Sequence, residues 1–215
     1  IDEARTPLII SGPVDSKIHD TMAKYDSAVA NLVRKQTRQS TRLLSEAKKE
    51  LREAGFFDES AETDKDTVYE AGEKLLKVKR STPKISRFLK IQKETGVAKL
   101  IQKIESDRLR DKNMYELDEE LFFAVDENEN SINLTDKGRS ALDPNNPELF
   151  ILPDITEQIS EIEGDESLNT AQKASKKKEA YAIYSERSEV NHVISQLLKA
   201  HVLFAKDVDY VVVDQ

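Results

Sequence analysis

Residues 179–204 read "EAYAIYSERSEVNHVISQLLKAHVLF". Tyr181, Tyr184, Val190, Ile194, Leu197, His201 and Phe204 keep the spacing of one helical face, and neither Gly nor Pro interrupts them. The pattern extends from Ser167 to about Lys206, the longest helical pattern in the chain. A chain dominated by such a segment is expected to be mostly helical. Tyr181 and Tyr184 share a face, with core packing as the ordinary role and a peptide-facing surface as the alternative.

Toward the N-terminus the same periodicity recurs. A first helix is expected from Asp15 or Ser16, both good cap types. Ile18, Met22, Tyr25, Val29 and Leu32 follow on one face; the pattern fades over Gln36–Thr41 and resumes with Leu44, Ala47 and Leu51. Gly55 reads as its stop. A second helix is expected over about 67–79. Thr82-Pro83 reads as the cap and first position of a third, ended by Gly96. A fourth runs to about Arg110, with Val97, Leu100, Ile101 and Ile104 inward.

The period then changes. In "MYELDEELFFAVDENENSINLTDKG" (114–138), apolar runs near Leu121–Val125 and Ile132–Leu134 flank the polar "DENENS", the pattern of a hairpin. "ELFFAVD" (120–126) is expected to be the central strand of a small sheet, and an open face on it would be a second place for an apolar peptide. Thr135 caps a short helix. "DPNNPELFILPD" (143–154) is bounded by Pro, with a possible strand at 149–152.

The totals exclude several functions. The 215 residues include 33 basic and 41 acidic side chains, for a net charge of -8, which argues against nonspecific nucleic-acid binding. No Cys is present, so thiolate metal sites and a Cys nucleophile are excluded. No apolar run is long enough to span a membrane. Of the three histidines, His192 and His201 are nine residues apart, on opposite sides of a helix, and cannot share a metal; His19, like them, reads as a surface or packing residue. "KASKKKE" (173–179) reads as a solvated face rather than a lipid or acidic-partner site.

Both ends read as strands: "PLIIS" (7–11) and "DYVVVDQ" (209–215). Paired antiparallel, they form a two-stranded ribbon at the foot of a helical body. Its free edges expose backbone groups that accept an extended peptide as a third strand, unless other structure covers them. Asp2-Glu3 has the form of a Walker B pair, in which Asp holds Mg²⁺ and Glu activates water. The dipeptide recurs at 58–59, 118–119, 126–127 and 165–166, and no GxxxxGK[ST] is present. The chain alone is therefore expected not to hydrolyse ATP.

Three stretches carry a resemblance. "IDEARTPLIISGP" (1–13) closely resembles the stretch of the SecA family, the bacterial preprotein translocase motors, that runs from the Walker B motif into an inserted domain. "LKAHVLFAKDVDYVVVDQ" (198–215) resembles the return to the first motor domain, and "INLTDKG" (132–138) a strand and turn of the insert. The resemblance implies an excised preprotein cross-linking domain. Its implied fold is α+β and mostly helical: a helical bulb with a small antiparallel hairpin, on a two-stranded antiparallel stem formed by the chain ends. Residues 1–14 would end the Walker B motif and supply the first stem strand, 15–207 the bulb, and 208–215 the second stem strand. Residues 35–113 are longer and more charged than the family's usual insert and read as extra helices on the bulb.

The implied function is a clamp that holds unfolded preprotein during ATP-driven export. Leu8, Ile9, Ile10 and Ser11 in one stem strand and Tyr210, Val211, Val212 and Val213 in the other are the implied peptide-binding residues. Asp2 and Glu3 would be remnants of the motor's catalytic site. ATP and Mg²⁺ would belong to the parent, with no cofactor in this segment. The implied partners are unfolded preproteins and signal peptides, the remaining SecA domains and, through the parent, the SecYEG channel. The implied location is the bacterial cytoplasm, with the parent peripheral at the inner membrane. A helical interaction scaffold without peptide binding is the alternative.

Overall fold

The computed structural model describes residues 16–58, 60 and 62–204. The expected stem strands, and with them Asp2, Glu3, Leu8, Ile9, Ile10, Ser11, Tyr210, Val211, Val212 and Val213, lie outside the described residues. The architecture is mostly helical α+β, as expected: eight α-helices, one 3-10 turn and one two-stranded antiparallel sheet among the described residues.

Helix α1 (Ser16–Glu53) runs unbroken for 38 residues, longer than any other described helix. The stretch Gln36–Thr41, where the apolar pattern fades, does not interrupt it. The reason is that the buried stripe continues in polar residues: Tyr25, Val29, Leu32, then Gln36 and Ser40, then Leu44, Ala47 and Leu51 are all buried. Thr37, Thr41 and Ser45 return their hydroxyls to carbonyls four residues back (2.9, 2.8 and 3.0 Å), so they stay within the helix rather than compete with it. Gly55, at φ 72°, ends the run, and the Phe56 amide reaches back to Leu51 O at 2.9 Å.

Helix α2 (Lys65–Ser81), capped by the Asp64 carboxylate, returns antiparallel to α1. Thr82 is not the start of the next helix but the end of this one: its amide donates to Val78 O at 2.9 Å. Pro83 lies in the following turn, and α3 begins only at Ser86 (Ser86–Ile91). Helix α4 (Val97–Arg110) starts after Gly96. It approaches α2 closely at Gly72, where a Cβ would lie 2.9 Å from Ile104 Cγ1. A short helix α5 (Met114–Glu119) follows, which the period change had concealed.

The hairpin is present as expected: β1 (Phe123–Asp126) pairs antiparallel with β2 (Ser131–Leu134), with Val125 opposite Ile132. It is the whole described sheet, so β1 is not a central strand. Its face is not open either, since Phe123, Ala124 and Val125 are all buried between α2 and the α1–α8 pair. Thr135 caps α6 (Asp136–Leu142) as expected, accepting from the Gly138 amide at 3.1 Å. The expected strand at 149–152 is instead a 3-10 turn, Pro147–Phe150, with Pro at its first position. The long C-terminal pattern resolves into α7 (Ile155–Gly164) and α8 (Thr170–Val202). A reciprocal cap between Asn169 and Gln172 opens α8.

Two apolar clusters organise the body. One lies among the second half of α1, α2, α3, α4 and α5, built on Leu44, Leu51, Leu75, Phe88, Ile104 and Leu117. The other lies among the first half of α1, the hairpin, α6, the 3-10 turn and the second half of α8, built on Tyr25, Leu32, Phe123, Phe150, Ile194 and Leu198. The residues around 35–113 are thus more than surface additions; they carry a core of their own. Gln36 and Ser40 mark the seam. Gln36 Oε1 accepts from the Phe122 amide at 2.7 Å, and the Ser40 and Ser81 hydroxyls meet at 2.9 Å. One helix thereby serves both cores, with its polar residues placed where the cores meet.

Candidate functional site

A groove of about 520 Å³ opens between β2 and the second half of α8. Ile132, Leu134, Phe150 and Leu152 supply its apolar lining; Asn133, Ser188, Asn191, His192 and Ser195 supply polar groups. Arg139 is the one guanidinium among the lining residues, and no Lys, Asp or Glu joins it there.

The hairpin register decides what β2 offers this groove. The Thr135 amide donates to Phe122 O at 3.2 Å. Alternation along an antiparallel ladder then makes 124–133 and 126–131 the hydrogen-bonded pairs. The N–H and C=O of Ile132 and Leu134 therefore point away from β1, toward the groove. Arg139 Nη1 takes the Leu134 carbonyl at 2.9 Å. The remaining edge groups belong to the buried Ile132 and half-buried Leu134, both of which line the groove. Such an edge beside an apolar and polar groove is suited to an extended polypeptide, with the backbone giving affinity.

The sequence holds β2 in place through "INLTDKG". The Thr135 hydroxyl donates to Leu121 O at 2.6 Å while accepting from the Gly138 amide. A Cβ at Gly138 would lie 1.8 Å from the Phe122 carbonyl oxygen, so only glycine fits. On the opposite wall, Asn191 is anchored to Arg187 O at 2.8 Å, and Arg187 reaches Ile151 O at 3.3 Å, tying α8 to the segment after the 3-10 turn.

Of the residues singled out from sequence, His192 lines the groove rim and is exposed. His201 Nε2 lies 3.6 Å from Asp26 Oδ1, and His19 is exposed near the start of α1. No group of three His, Cys, Asp or Glu fit to hold a metal occurs among the described residues. Lys177 pairs with Glu163 and Lys173 donates to Glu163 O at 2.7 Å, while Lys176 and Lys178 are exposed, as a solvated face requires. Core packing of Tyr181 is corrected: it is 55% exposed, because only Ala180 of the first half of α8 is buried. Tyr184 is half-buried. Sequence reasoning missed Asn133, Arg139, Leu152, Asn191 and Ser195, since no local spacing links β2 to α8.

Comparison with known proteins gives this geometry a family. The profile of the SecA preprotein cross-linking domain matches residues 102–215, which include both walls of the groove. The chain belongs to the SecA preprotein cross-linking domain family. The protein translocase subunit SecA of Chlorobaculum tepidum is 46% identical over 220 residues, covering 99% of this chain and 20% of that protein. SecA of Chlorobium phaeobacteroides strain BS1 is 44% identical and SecA of Chlorobium phaeovibrioides 46% identical, each over 217 residues with the same coverage. The chain thus spans about a fifth of the length of these SecA relatives. Because the matches cover 99% of the chain, they take in the extra helices of 35–113 as well. No solved structure matches. No helix among the described residues is long and apolar enough to cross a membrane.

Proposed function

We propose that this chain is the polypeptide-holding clamp domain of an ATP-driven bacterial protein-export motor. The observation that carries the reading is the groove between β2 and α8: outward backbone groups on its β2 side, an apolar and polar lining, and a place inside the region that matches the preprotein cross-linking family. A motor that moves many different unfolded chains needs contacts to main chain and to generic apolar side chains rather than to one sequence. In this reading preprotein segments and signal peptides occupy the groove together with the stem residues Leu8–Ser11 and Tyr210–Val213. The other SecA domains and the SecYEG channel are partners through the parent, peripheral at the inner membrane. ATP and Mg²⁺ act in the motor, to which Asp2 and Glu3 belong, and this segment alone hydrolyses no ATP.

The test is NMR titration of the chain with an unfolded apolar peptide. Resonances of Ile132–Leu134 and Asn191–Ser195 are expected to shift along with those of the two stem segments. A Leu134→Pro variant, which removes an outward-facing N–H of β2 while leaving the 124–133 ladder bonds in place, is expected to weaken the groove shifts. Unchanged groove resonances at saturating peptide would overturn the groove as a holding site. Hydrolysis of ATP by the isolated chain above background would overturn its assignment as a non-catalytic segment.

A further inference from the structure

The outward edge of β2 ends on a carbonyl that is already occupied. Ile132 and Leu134 turn their N–H and C=O groups away from β1. One of these four groups, the Leu134 carbonyl, accepts from Arg139 Nη1 at 2.9 Å. Local structure puts the guanidinium there. Thr135 caps α6, and side chains on a helix lean back toward its N-terminus, so Arg139 reaches over the first turn to the end of β2. Asp136, three residues before it, holds the other terminal nitrogen, Nη2. Between these two anchors the Arg139 side chain is only 22% exposed. Arg139 also lines the groove, whereas Asp136 does not. The guanidinium therefore stands on the side from which a third strand approaches.

A chain pairing with β2 meets this guanidinium in either direction. Antiparallel, one of its residues exchanges both bonds with Ile132. The residue two before that one accepts from the Leu134 N–H and aims its own N–H at the Leu134 carbonyl. Parallel, one residue donates to the Ile132 carbonyl and accepts from the Leu134 N–H. The residue two after that one aims its N–H at the same Leu134 carbonyl. In both cases a donor meets a donor. We propose that Arg139 limits the hold of the groove: a polypeptide there pairs with β2 through three backbone bonds and no further, and the chain residue whose N–H faces Arg139 can be proline.

This inference rests on the groove reading and names the residue that limits the hold. The bonds left to an occupant are those of the Ile132 N–H, the Ile132 carbonyl and the Leu134 N–H, whichever way the chain runs. An uncapped edge keeps adding backbone bonds and also invites other strands, and natural sheets blunt their edges against this. Proline ordinarily breaks a strand because it has no N–H to give. At the position facing Arg139 no N–H is wanted, so that cost vanishes. Arg139 is poorly placed to act instead as a receptor for acidic side chains. Both of its terminal nitrogens are committed, and Asp136 already matches its charge.

The test is an N-methyl scan, which deletes one peptide N–H at a time. The isotope-labelled 215-residue chain is titrated with the end-blocked peptide Thr-Val-Phe-Val-Thr, its N-methyl variants and its proline variants, and shifts of Ile132–Leu134 are followed by NMR. With the parent chain a single N-methyl position should weaken binding, by about fivefold for one backbone bond. Proline two residues from that position, on the side facing Arg139, should bind within about twofold of the unsubstituted peptide. In Arg139→Met, which keeps an apolar stem, two N-methyl positions two residues apart should become sensitive. The unsubstituted peptide should then bind about fivefold tighter, and the proline peptide should gain nothing. Circular dichroism checks the fold of the variant, and the scan of the parent chain stands without it. Two sensitive positions in the parent, or weaker binding of the unsubstituted peptide to Arg139→Met, would overturn the proposal while leaving the groove as a holding site. No shift of Ile132–Leu134 with any peptide would overturn the groove reading and this inference with it.

Discussion

Replacing Gln36 by Leu tests how the two cores are joined. Gln36 is fully buried, and its Oε1 accepts from the Phe122 amide at 2.7 Å, the residue leading into β1. Leucine is close in volume and keeps the helix, so the change chiefly removes an acceptor. Leaving a buried amide without a partner costs about 1–3 kcal/mol. The bond from Gln36 Nε2 to Ser40 Oγ is long, 3.5 Å, and its loss adds little. Burying leucine's extra apolar surface returns part of that cost, about 0.8 kcal/mol per methylene-sized group. A net loss of about 1–2 kcal/mol remains, which for a chain of this size lowers Tm by roughly 2–8 °C. Helical circular dichroism followed during heating gives the shift. Gln36→Glu offers a control: it keeps an acceptor but buries a charge, and is expected to be the more damaging at neutral pH. A leucine variant as stable as the parent, or more stable, would refute the reasoning, since the Phe122 amide would then not depend on Gln36.

Three further outcomes are expected. Gly138→Ala should cost about 3 kcal/mol or more, at the top of the overpacking range, because the new Cβ meets backbone 1.8 Å away and not a yielding side chain; a urea midpoint near the parent's would contradict this. Arg80 and Asp118 form a two-pronged pair, 2.6 and 2.7 Å, that joins α2 to α5 with both side chains about four-fifths buried, so a double-mutant cycle of Arg80→Met and Asp118→Ala should show coupling of about 1–3 kcal/mol; coupling near zero would mean that the apolar cluster alone positions α5. The hydrogen bond and charge of Lys177 hold the Glu163 carboxyl below its ordinary range, so its contribution to the α7–α8 hairpin is present above the unfolded carboxylate value and lost as pH falls through the lower folded one. Pepsin cleavage between 151 and 169 should therefore rise below about pH 4 ahead of global unfolding, and Glu163→Gln should blunt that dependence.

Legibility tracked how local each signal was. The hairpin, the Thr135 cap and the Gly55 stop were readable because each is set by residues within a few positions. The apolar pattern of α1 fades over Gln36–Thr41 only because Gln36 and Ser40 are polar; both sit on the buried stripe and meet partners 86 and 41 residues away, which local spacing does not show. Thr82-Pro83 has the form of a helix start, yet Thr82 was already claimed by Val78 O. Helix α7 did leave a signal, Asp154 as cap with Ile155, Ile159 and Ile162 behind it, hidden by the flanking prolines. The groove left none, since its walls come from β2 and α8, about 60 residues apart. The stem residues that the resemblance singled out lie outside the described residues.

The continuity of α1 links the groove to helices α3 and α4. Residues 25–32 of this helix pack under the hairpin that forms one groove wall, and residues 43–54 pack under α3 and α4. No Gly or Pro lies between them, so the helix has no ordinary place to bend. From Leu32 to Leu51 it carries the connection about 28 Å. Gln36 and Ser40 fix the rotation of the hairpin and of α2 about that rod through directional bonds, which apolar packing alone would not specify. A displacement of the hairpin cluster is therefore expected to carry the α3–α4 face with it. If the seam is the coupling element, Gln36→Leu should loosen amide exchange in β1 and α2 together; loosening confined to Phe122 would place the coupling elsewhere.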